Sequence, residues 1–324
     1  MNDVKTLSLG SDVLLLHSNS FDYPVINSRY RIIKKLGEGG FGRTFLCLDE
    51  LLDTYVAIKE IVSKDEKSYM SSLLEARSLA SFRGIPGIVS AIDYFDLDEK
   101  SYIVMDYVEG ENLTDYCRNH MPTFADFLDV MKDVFSALSR MHSLGIIHRD
   151  ISPGNIIVGD EKAVLLDFGS ACRCGKCNPI VKRGYSPSEQ YDGKVGPWSD
   201  VYAMAATISR AYMGMKITDS QERSNNRILK YKYANRMVKD QMSFNALNRL
   251  LKVLEKGLSL SPRDRYRDME KFWEALLNVQ NSQYNFARRR KLFLAIAALL
   301  SNAYAYECVN APYGISILDK NVFF

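Results

Sequence analysis

The sequence predicts an α+β chain of two lobes: a small five-stranded antiparallel sheet carrying one helix, then a larger helical lobe. Three observations predict it. Stretches rich in β-branched and aromatic residues, parted by turn residues, crowd between Tyr30 and Tyr107. After the polar, glycine-bearing stretch Val108-Glu109-Gly110-Glu111 the apolar residues change to helical spacing. One short apolar hairpin, Ile156 to Leu166, interrupts that helical half, with polar groups at both of its ends.

Composition sets the bounds. A chain of 324 residues, 47% hydrophobic and 25% charged, holds one two-lobed domain or two small ones and excludes disorder on a large scale. A net charge of +3, with basic residues scattered except at Arg288-Arg289-Arg290-Lys291, is too small to argue for nucleic acid, and no such partner is expected. Six cysteines are too few for a disulfide scaffold, so a reducing compartment is expected. The apolar run Val13 to Leu16 is too short for a signal peptide, and a secreted domain is not expected.

Residues 1–29 show no sustained period and are expected to pack loosely or to extend the first sheet. Tyr30 to Leu36 reads as a strand, followed by Gly37-Glu38-Gly39-Gly40-Phe41-Gly42 and a second strand-like run, Arg43 to Asp49. Three glycines at this spacing also open dinucleotide-binding helices. Here Thr44 to Leu48 is β-branched, aromatic and apolar, which makes a glycine-rich hairpin instead. Such a hairpin can lay backbone N–H groups over phosphates, because glycine lets the chain approach without a Cβ. A flexible hairpin with no ligand is the competing reading.

Tyr55 to Ile61 is a third strand with Lys59 inside an apolar run, a position that costs free energy unless the ammonium is paired. Residues 66 to 83 read as a helix with Met70, Leu73, Leu74 and Leu79 at helical spacing. On its inward side Glu75 offers the partner, with Glu60 and Glu66 as rivals. Gly84-Ile85-Pro86-Gly87 breaks the chain, and two further strands follow, Ile88 to Phe95 and Tyr102 to Tyr107.

In the second lobe Thr123 caps a long helix with Asp126 at its third position. Phe127, Leu128, Met131, Val134, Phe135, Leu138 and Met141 trace one face of it, and it ends at Gly145. The hairpin after it pairs Ile156 to Val158 with Ala163 to Leu166 across the turn Gly159 to Lys162. That turn throws both ends to the same side. Asp150 and Asn155 before the hairpin, and Asp167 after it, can therefore converge. Two oxygen ligands and a carboxylate base are what a magnesium ion and a reacting hydroxyl need. A last helix, Met269 to Val279, closes the lobe.

His148-Arg149-Asp150 with Asn155, then Asp167-Phe168-Gly169, resembles the catalytic and magnesium loops of eukaryotic-type serine/threonine protein kinases, with loop sequences like those of bacterial members. Each triplet alone is common, but the other parts follow in order. Gly184 to Tyr191 is similar to the end of a kinase activation loop, with Pro187-Ser188-Glu189 for the usual Ala-Pro-Glu. Arg265 stands where that glutamate's buried partner is found, and Asp200 where an aspartate braces the catalytic loop. The resemblance covers a kinase domain at about 30–279, with a small lobe to about 108 and a large lobe from about 109.

What the resemblance implies is a two-lobed protein-kinase fold that transfers the γ-phosphoryl group of ATP to serine or threonine hydroxyls of protein substrates. Asp150 would be the base and Asn155 and Asp167 the ligands of magnesium, or of manganese in its place. Lys59 would position phosphates and Glu75 would position Lys59. Around the nucleotide it places Leu36, Gly37, Glu38, Gly39, Gly40, Phe41, Gly42, Arg43, Thr44, Ala57 and Ile157, with the backbone of Asp106 to Val108 on the adenine edge. A scaffold that keeps the fold without turnover, and a small-molecule kinase of related fold, are the rival readings.

The chain departs from the pattern in two places. Where most Ser/Thr members carry a lysine two residues after the catalytic aspartate this chain has Ser152, and where they carry a loop threonine it has Lys182. The exchange implies that Lys182 brings the missing charge into the site and that Ser152 makes the hydrogen bond of the absent threonine. Secondly, Ala171 to Gly184 contains no Ser, Thr or Tyr, although the arginine at the place of Arg149 commonly pairs with a phosphorylated loop residue. That loop holds Cys172, Cys174 and Cys177, expected to be inert rather than a redox or metal site.

Beyond residue 279 lies a tail with the basic cluster and fifteen uncharged residues, Leu292 to Tyr306. At about 1.5 Å per residue a helix of that length falls short of a ~30 Å hydrocarbon core. A helix buried on the large lobe or a partner is favoured over a membrane span. In either case the catalytic domain is expected on the cytoplasmic side.

Overall fold

The computed structural model describes residues 24–39, 42–62, 65–160, 162–223 and 242–282. Gly40, Phe41, the leader up to residue 23 and the tail from residue 283 lie outside the described residues, and so do the basic cluster and the uncharged run. Two compact units divide the chain, one made by the residues up to Gly84 with Val89–Val108, the other by Ile85–Ile88 with the residues from Glu109.

The first unit is an antiparallel sheet of six strands, β1 (Val25–Ile26), β2 (Tyr30–Gly39), β3 (Gly42–Asp49), β4 (Thr54–Val62), β5 (Ala91–Leu97) and β6 (Lys100–Asp106), in the order β1-β2-β3-β4-β6-β5. Five strands are expected from the sequence; the sixth is the end of the leader, turned back onto β2 through Asn27 and Ser28 at φ +49° and +50°. Two residues of strand are too short to show a period in the sequence. Strand β5 begins at Ala91 rather than at Ile88. Ile88 belongs to the second unit, where it bridges Leu165, and the Gly87 carbonyl accepts from Leu165 N at 2.9 Å. The apolar start of the expected strand thus serves a different sheet.

Ile26, Tyr30, Cys47, Val56, Ile58, Tyr102 and Val104 form the core of this unit. The Phe95 ring stacks on Tyr30 and Tyr102 at 5.9 and 5.1 Å between centroids, an arrangement worth about 0.5–1.5 kcal/mol per pair beyond the area buried. Helix α1 (Glu66–Ser81) buries Ala76 and Leu79 and leaves Tyr69, Met70 and Leu74 exposed.

In the second unit, β7 (Glu111–Asn112) leads into α2 (Leu113–His120), whose second and third amides, Thr114 N and Asp115 N, donate to Asn112 Oδ1. Helix α3 (Phe124–Ser143) starts at a capping box in which Thr123 and Asp126 satisfy each other's backbone amides. The face running from Phe127 to Met141 is buried throughout, and each such side chain contributes roughly 1.5–3 kcal/mol. Then come β8 (Ile146–Ile147), the hairpin β9 (Ile156–Gly159) and β10 (Lys162–Leu165), and the short pieces β11 (Cys172–Arg173) and β12 (Gly175–Lys176). Further on lie α4 (Ser188–Tyr191), β13 (Lys194–Val195), α5 (Pro197–Ala211) and α6 (Phe244–Gly257), with a last helix from 269 to 282.

Helix α5 is buried from Ser199 to Ser209, and its hydroxyls return to their own helix, Thr207 Oγ1 to Ala203 O at 2.8 Å and Ser209 Oγ to Ala205 O at 2.7 Å. Strand β9 lies between β10 and β7. Gly87 lies against α3, where a Cβ would sit 2.3 Å from the Asp133 carbonyl carbon, and at φ +85° only glycine is comfortable.

Candidate active site

Strand alternation decides the partner of Lys59. Lys59 and Glu60 are both buried, but neighbours in a strand point to opposite faces. Glu60 turns to Arg43 Nε at 2.8 Å, Lys100 Nζ at 3.1 Å and the Tyr102 hydroxyl at 3.1 Å. Lys59 turns to the helix, where its Nζ lies 2.7 Å from Glu75 Oε1, and the two side chains are 7% and 4% exposed. That is a desolvated pair, costly to break from either side.

The glycine hairpin stands beside this pair in the same sheet, with Thr44 opposite Lys59 and Gly37 opposite Thr44. Gly42 is demanded by the fold, since a Cβ there would meet the Glu60 carbonyl oxygen at 2.1 Å. Gly37 and Gly39 are not, because among the described residues a Cβ at either would touch nothing within 4 Å. Their bareness leaves room for something other than protein, as a phosphate cover requires. Arg43, expected near the nucleotide, gives its guanidinium to Glu60. Ala57 lies opposite Met105, and the Asp106 amide donates to Ser90 O at 3.1 Å.

The other unit carries the polar set around the hairpin. Leu166 N donates to Asn155 O at 2.8 Å, so the chain enters and leaves β9 and β10 at one end. Asn155 Nδ2 donates to the Asp150 carbonyl and to Asp150 Oδ2, each at 2.8 Å. With both amide hydrogens committed, the side-chain oxygen, Asn155 Oδ1, is the atom left for a cation. Asp167 holds φ +56° and accepts from Gly169 N at 3.1 Å. Hard oxygen donors from Asn155 and Asp167 suit magnesium, which keeps waters and phosphate oxygens in its remaining positions.

Asp200 braces the loop before Asp150. It is fully buried on α5, with Oδ2 accepting from His142 Nε2 at 2.9 Å and His148 N at 2.8 Å, and Oδ1 from Arg149 N at 2.9 Å. Burial opposes its charge, yet the His142 ring and these amides hold the carboxyl below the ordinary carboxylate range. The bonds secure Arg149 at φ +68°, a backbone state that costs about 1–3 kcal/mol and persists only where its surroundings impose it. Burial pushes the His148 imidazole down, which keeps it neutral, with its Nε2 3.3 Å from Leu166 O and its Nδ1 accepting from Asp150 N at 3.3 Å.

The Arg149 guanidinium is spent on backbone. Nε donates to Ser170 O at 2.5 Å and Nη1 to Asn178 O at 2.6 Å. Those two carbonyls flank a disulfide between Cys172 and Cys177, while Cys174 stays free and exposed. The expectation of three inert thiols is corrected here: the loop folds back between β8 and β13 and brings the first and last sulfurs together. Among the described residues no group of three or more His, Cys, Asp or Glu could hold a metal ion.

Lys182 reaches Asp150, Nζ to Oδ1 at 3.0 Å. Ser152 does not take the loop threonine's place. Its hydroxyl is buried with no hydrogen-bond partner among the described residues. The tie between the two loops is made by Gln190, whose Nε2 donates to Arg149 O at 2.8 Å and Ile180 O at 2.6 Å. Sequence reasoning missed Gln190, and no signal could have found it, since its partners are backbone carbonyls that every residue possesses. Glu189 and Arg265 form a two-pronged pair at 2.6 and 3.0 Å.

The protein kinase domain family matches residues 30–283. The serine/threonine-protein kinase PknA of Nostoc sp. is 29% identical over 279 residues, which is 78% of this chain and 47% of that protein. The serine/threonine-protein kinase PrkC of Bacillus subtilis is 31% identical over 201 residues, 58% of this chain and 31% of that one. The chain thus spans about half the length, or less, of these curated relatives. Among solved structures the kinase domain of M. tuberculosis PknI matches with a TM-score of 0.59 at 23% identity, over 78% of this chain and 96% of that one, a likeness of fold.

Proposed function

This chain belongs to the protein kinase family, and from that premise we propose that it moves the γ-phosphoryl group of ATP to serine or threonine hydroxyls of protein substrates. One observation carries the reading. Asp150, Asn155, Asp167 and the Lys59–Glu75 pair are all present, with Asn155 bonded to Asp150 and Lys59 to Glu75.

Asp150 takes the proton of the substrate hydroxyl as its oxygen attacks the γ-phosphorus, and the bond to the bridging oxygen breaks to leave ADP. Asn155 holds the carboxylate of Asp150 in one orientation through its amide, and the second carboxylate oxygen, which also meets Lys182, keeps a lone pair for the proton. Lys59, kept straight by Glu75, bonds the α- and β-phosphates. Magnesium or manganese, when held by Asn155 and Asp167, offsets phosphate charge. On the adenine edge the Asp106 amide is engaged with Ser90, so the Asp106 carbonyl and Val108 are the groups to meet the base. ATP supply puts the domain on the cytoplasmic side; among the described residues no helix is long and apolar enough to cross a membrane.

Incubating the purified chain with labelled ATP, magnesium and a generic protein substrate tests the proposal. Label on serine and threonine is expected; a protein that binds ATP without transfer would be a scaffold, and label on small molecules alone would make it a kinase of metabolites. Lys59→Met should abolish most turnover and lower the melting temperature, because Glu75 is left buried without its cation. Adding Glu75→Leu should recover the melting temperature and not the turnover. If the double variant regains activity, Lys59 does not position phosphates.

Activity should not need loop phosphorylation. Arg149 already has carbonyl partners, and of the three hydroxyl residues at the loop ends Ser170 and Ser186 are 1% and 2% exposed. Phosphatase treatment is expected to leave turnover unchanged. A loss of turnover, together with a phosphorylated Ser170, Tyr185 or Ser186 by mass spectrometry, would refute this.

A further inference from the structure

Lys182 stands in a tight turn that fixes its backbone. Its amide donates to Ser186 Oγ at 2.8 Å, and its carbonyl accepts from Tyr185 N at 3.0 Å and Ser186 N at 2.9 Å. Ser186 Oγ in turn lies 3.0 Å from Gln190 Nε2, whose two hydrogens are taken by nearer carbonyls. The same Nε2 binds the carbonyl of Ile180, two residues before Lys182, and that of Arg149, the residue before Asp150. One buried amide therefore ties the segment carrying Lys182 to the segment carrying Asp150. Its Oε1 is left in the interior without a partner among the described residues, so the orientation is set by the donor end.

The consequence is the 3.0 Å contact between Lys182 Nζ and Asp150 Oδ1, on the carboxylate whose Oδ2 already accepts from Asn155. The Asp150 side chain is 13% exposed and that of Lys182 41%, so the ammonium comes from the open side. An ammonium has three N–H groups, and one is spent on Asp150. When Asp150 accepts the hydroxyl proton its charge is cancelled, and the attraction that held the ammonium there weakens. At that moment negative charge is moving on the phosphoryl oxygens next to the attacking hydroxyl. A cation already in place stabilises that charge without reorganisation.

We propose that Lys182 is a catalytic residue delivered by the loop, its ammonium bonding the phosphoryl group in transfer, and that Gln190 is the residue that positions it. The proposal rests on the phosphotransfer reading above. Lys182 would then serve as an activation device that needs no modification, since the turn and the Gln190 amide hold it in place unaided.

The test measures kcat, KM for ATP, direct ATP affinity and melting temperature for wild type, Lys182→Met, Lys182→Arg, Gln190→Met and the double Lys182→Met/Gln190→Met. Lys182→Met is expected to lower kcat by about 10²-fold, the usual loss for one preorganised donor, with KM, ATP affinity and melting temperature unchanged. Lys182→Arg should keep a substantial part of the rate. Gln190→Met should lower kcat in the wild-type background and have no further effect on kcat beside Lys182→Met, because it acts through that lysine.

Wild-type kcat in Lys182→Met would overturn the proposal, and a raised kcat would do so too by showing the lysine to be a plug on the base. An equal kcat loss from Gln190→Met in both backgrounds would overturn its positioning role and leave it structural. An inactive wild-type chain is a different result: it overturns the phosphotransfer reading itself, and this proposal with it.

Discussion

Replacing Asp150 by Asn is expected to lower turnover by roughly 10²–10⁴-fold, the span a positioned acid–base group supplies, while ATP affinity and the melting temperature stay near wild type. The substitution keeps shape and removes charge. The backbone around residue 150 is held by another group, Asp200 on the amides of His148 and Arg149, so the loop has no reason to move. An amide oxygen at Oδ2 can still accept from Asn155. What is lost is the acceptor for the hydroxyl proton and the charge that draws Lys182. Steady-state kinetics with direct nucleotide titration gives the check, and a fall in ATP affinity as large as the fall in kcat would take Asp150 out of the base role.

The second large effect is on stability. Glu189→Ala should cost about 3–5 kcal/mol, because it strands the guanidinium of Arg265, whose side chain is fully buried. Arg265 keeps the carbonyls of Ser259, Trp198 and Leu260, at 2.6, 3.2 and 3.0 Å, but carbonyls do not cancel its charge. Ser199 Oγ also loses its acceptor, Glu189 Oε1 at 2.9 Å. In a domain of this size the fall in melting temperature is on the order of 10 °C. The double change Glu189→Leu with Arg265→Met should return most of it, since apolar residues of similar volume replace buried ion pairs at little cost. Thermal unfolding by circular dichroism checks both, and a Glu189→Ala variant that melts like wild type would show that the pair carries no stability.

The strand and helix periods were legible because they depend on which side chains are apolar and on nothing distant. The alternation from Tyr30 to Ile61 gives strands whichever way the chain later folds, and the run from Phe127 to Met141 gives a helix with one buried face. The bond of Asn155 to Asp150 and that of Leu166, the residue before Asp167, to the Asn155 backbone were legible for a related reason: only a turn and two short strands separate these residues. Alternation also removes one rival for Lys59, because it sends Glu60 to the opposite face.

The extra strand at Val25–Ile26, the late start of β5, the bridge between Cys172 and Cys177, the bare Ser152 hydroxyl and the backbone grip of Arg149 were decided by tertiary structure. Each depends on two segments meeting that no period connects, and most of the partners are backbone groups. A carbonyl carries no residue identity, so nothing in the amino-acid types announces that Ser170 and Asn178 will satisfy an arginine or that Gln190 will join Arg149 to Ile180. The sequence by itself determined the lobes, the main strands, the long helix and the chemical inventory of the site. The folded chain alone decided which loop carbonyls hold that inventory in place, because backbone hydrogen bonding between distant segments depends on where the chain runs and not on which side chains it bears.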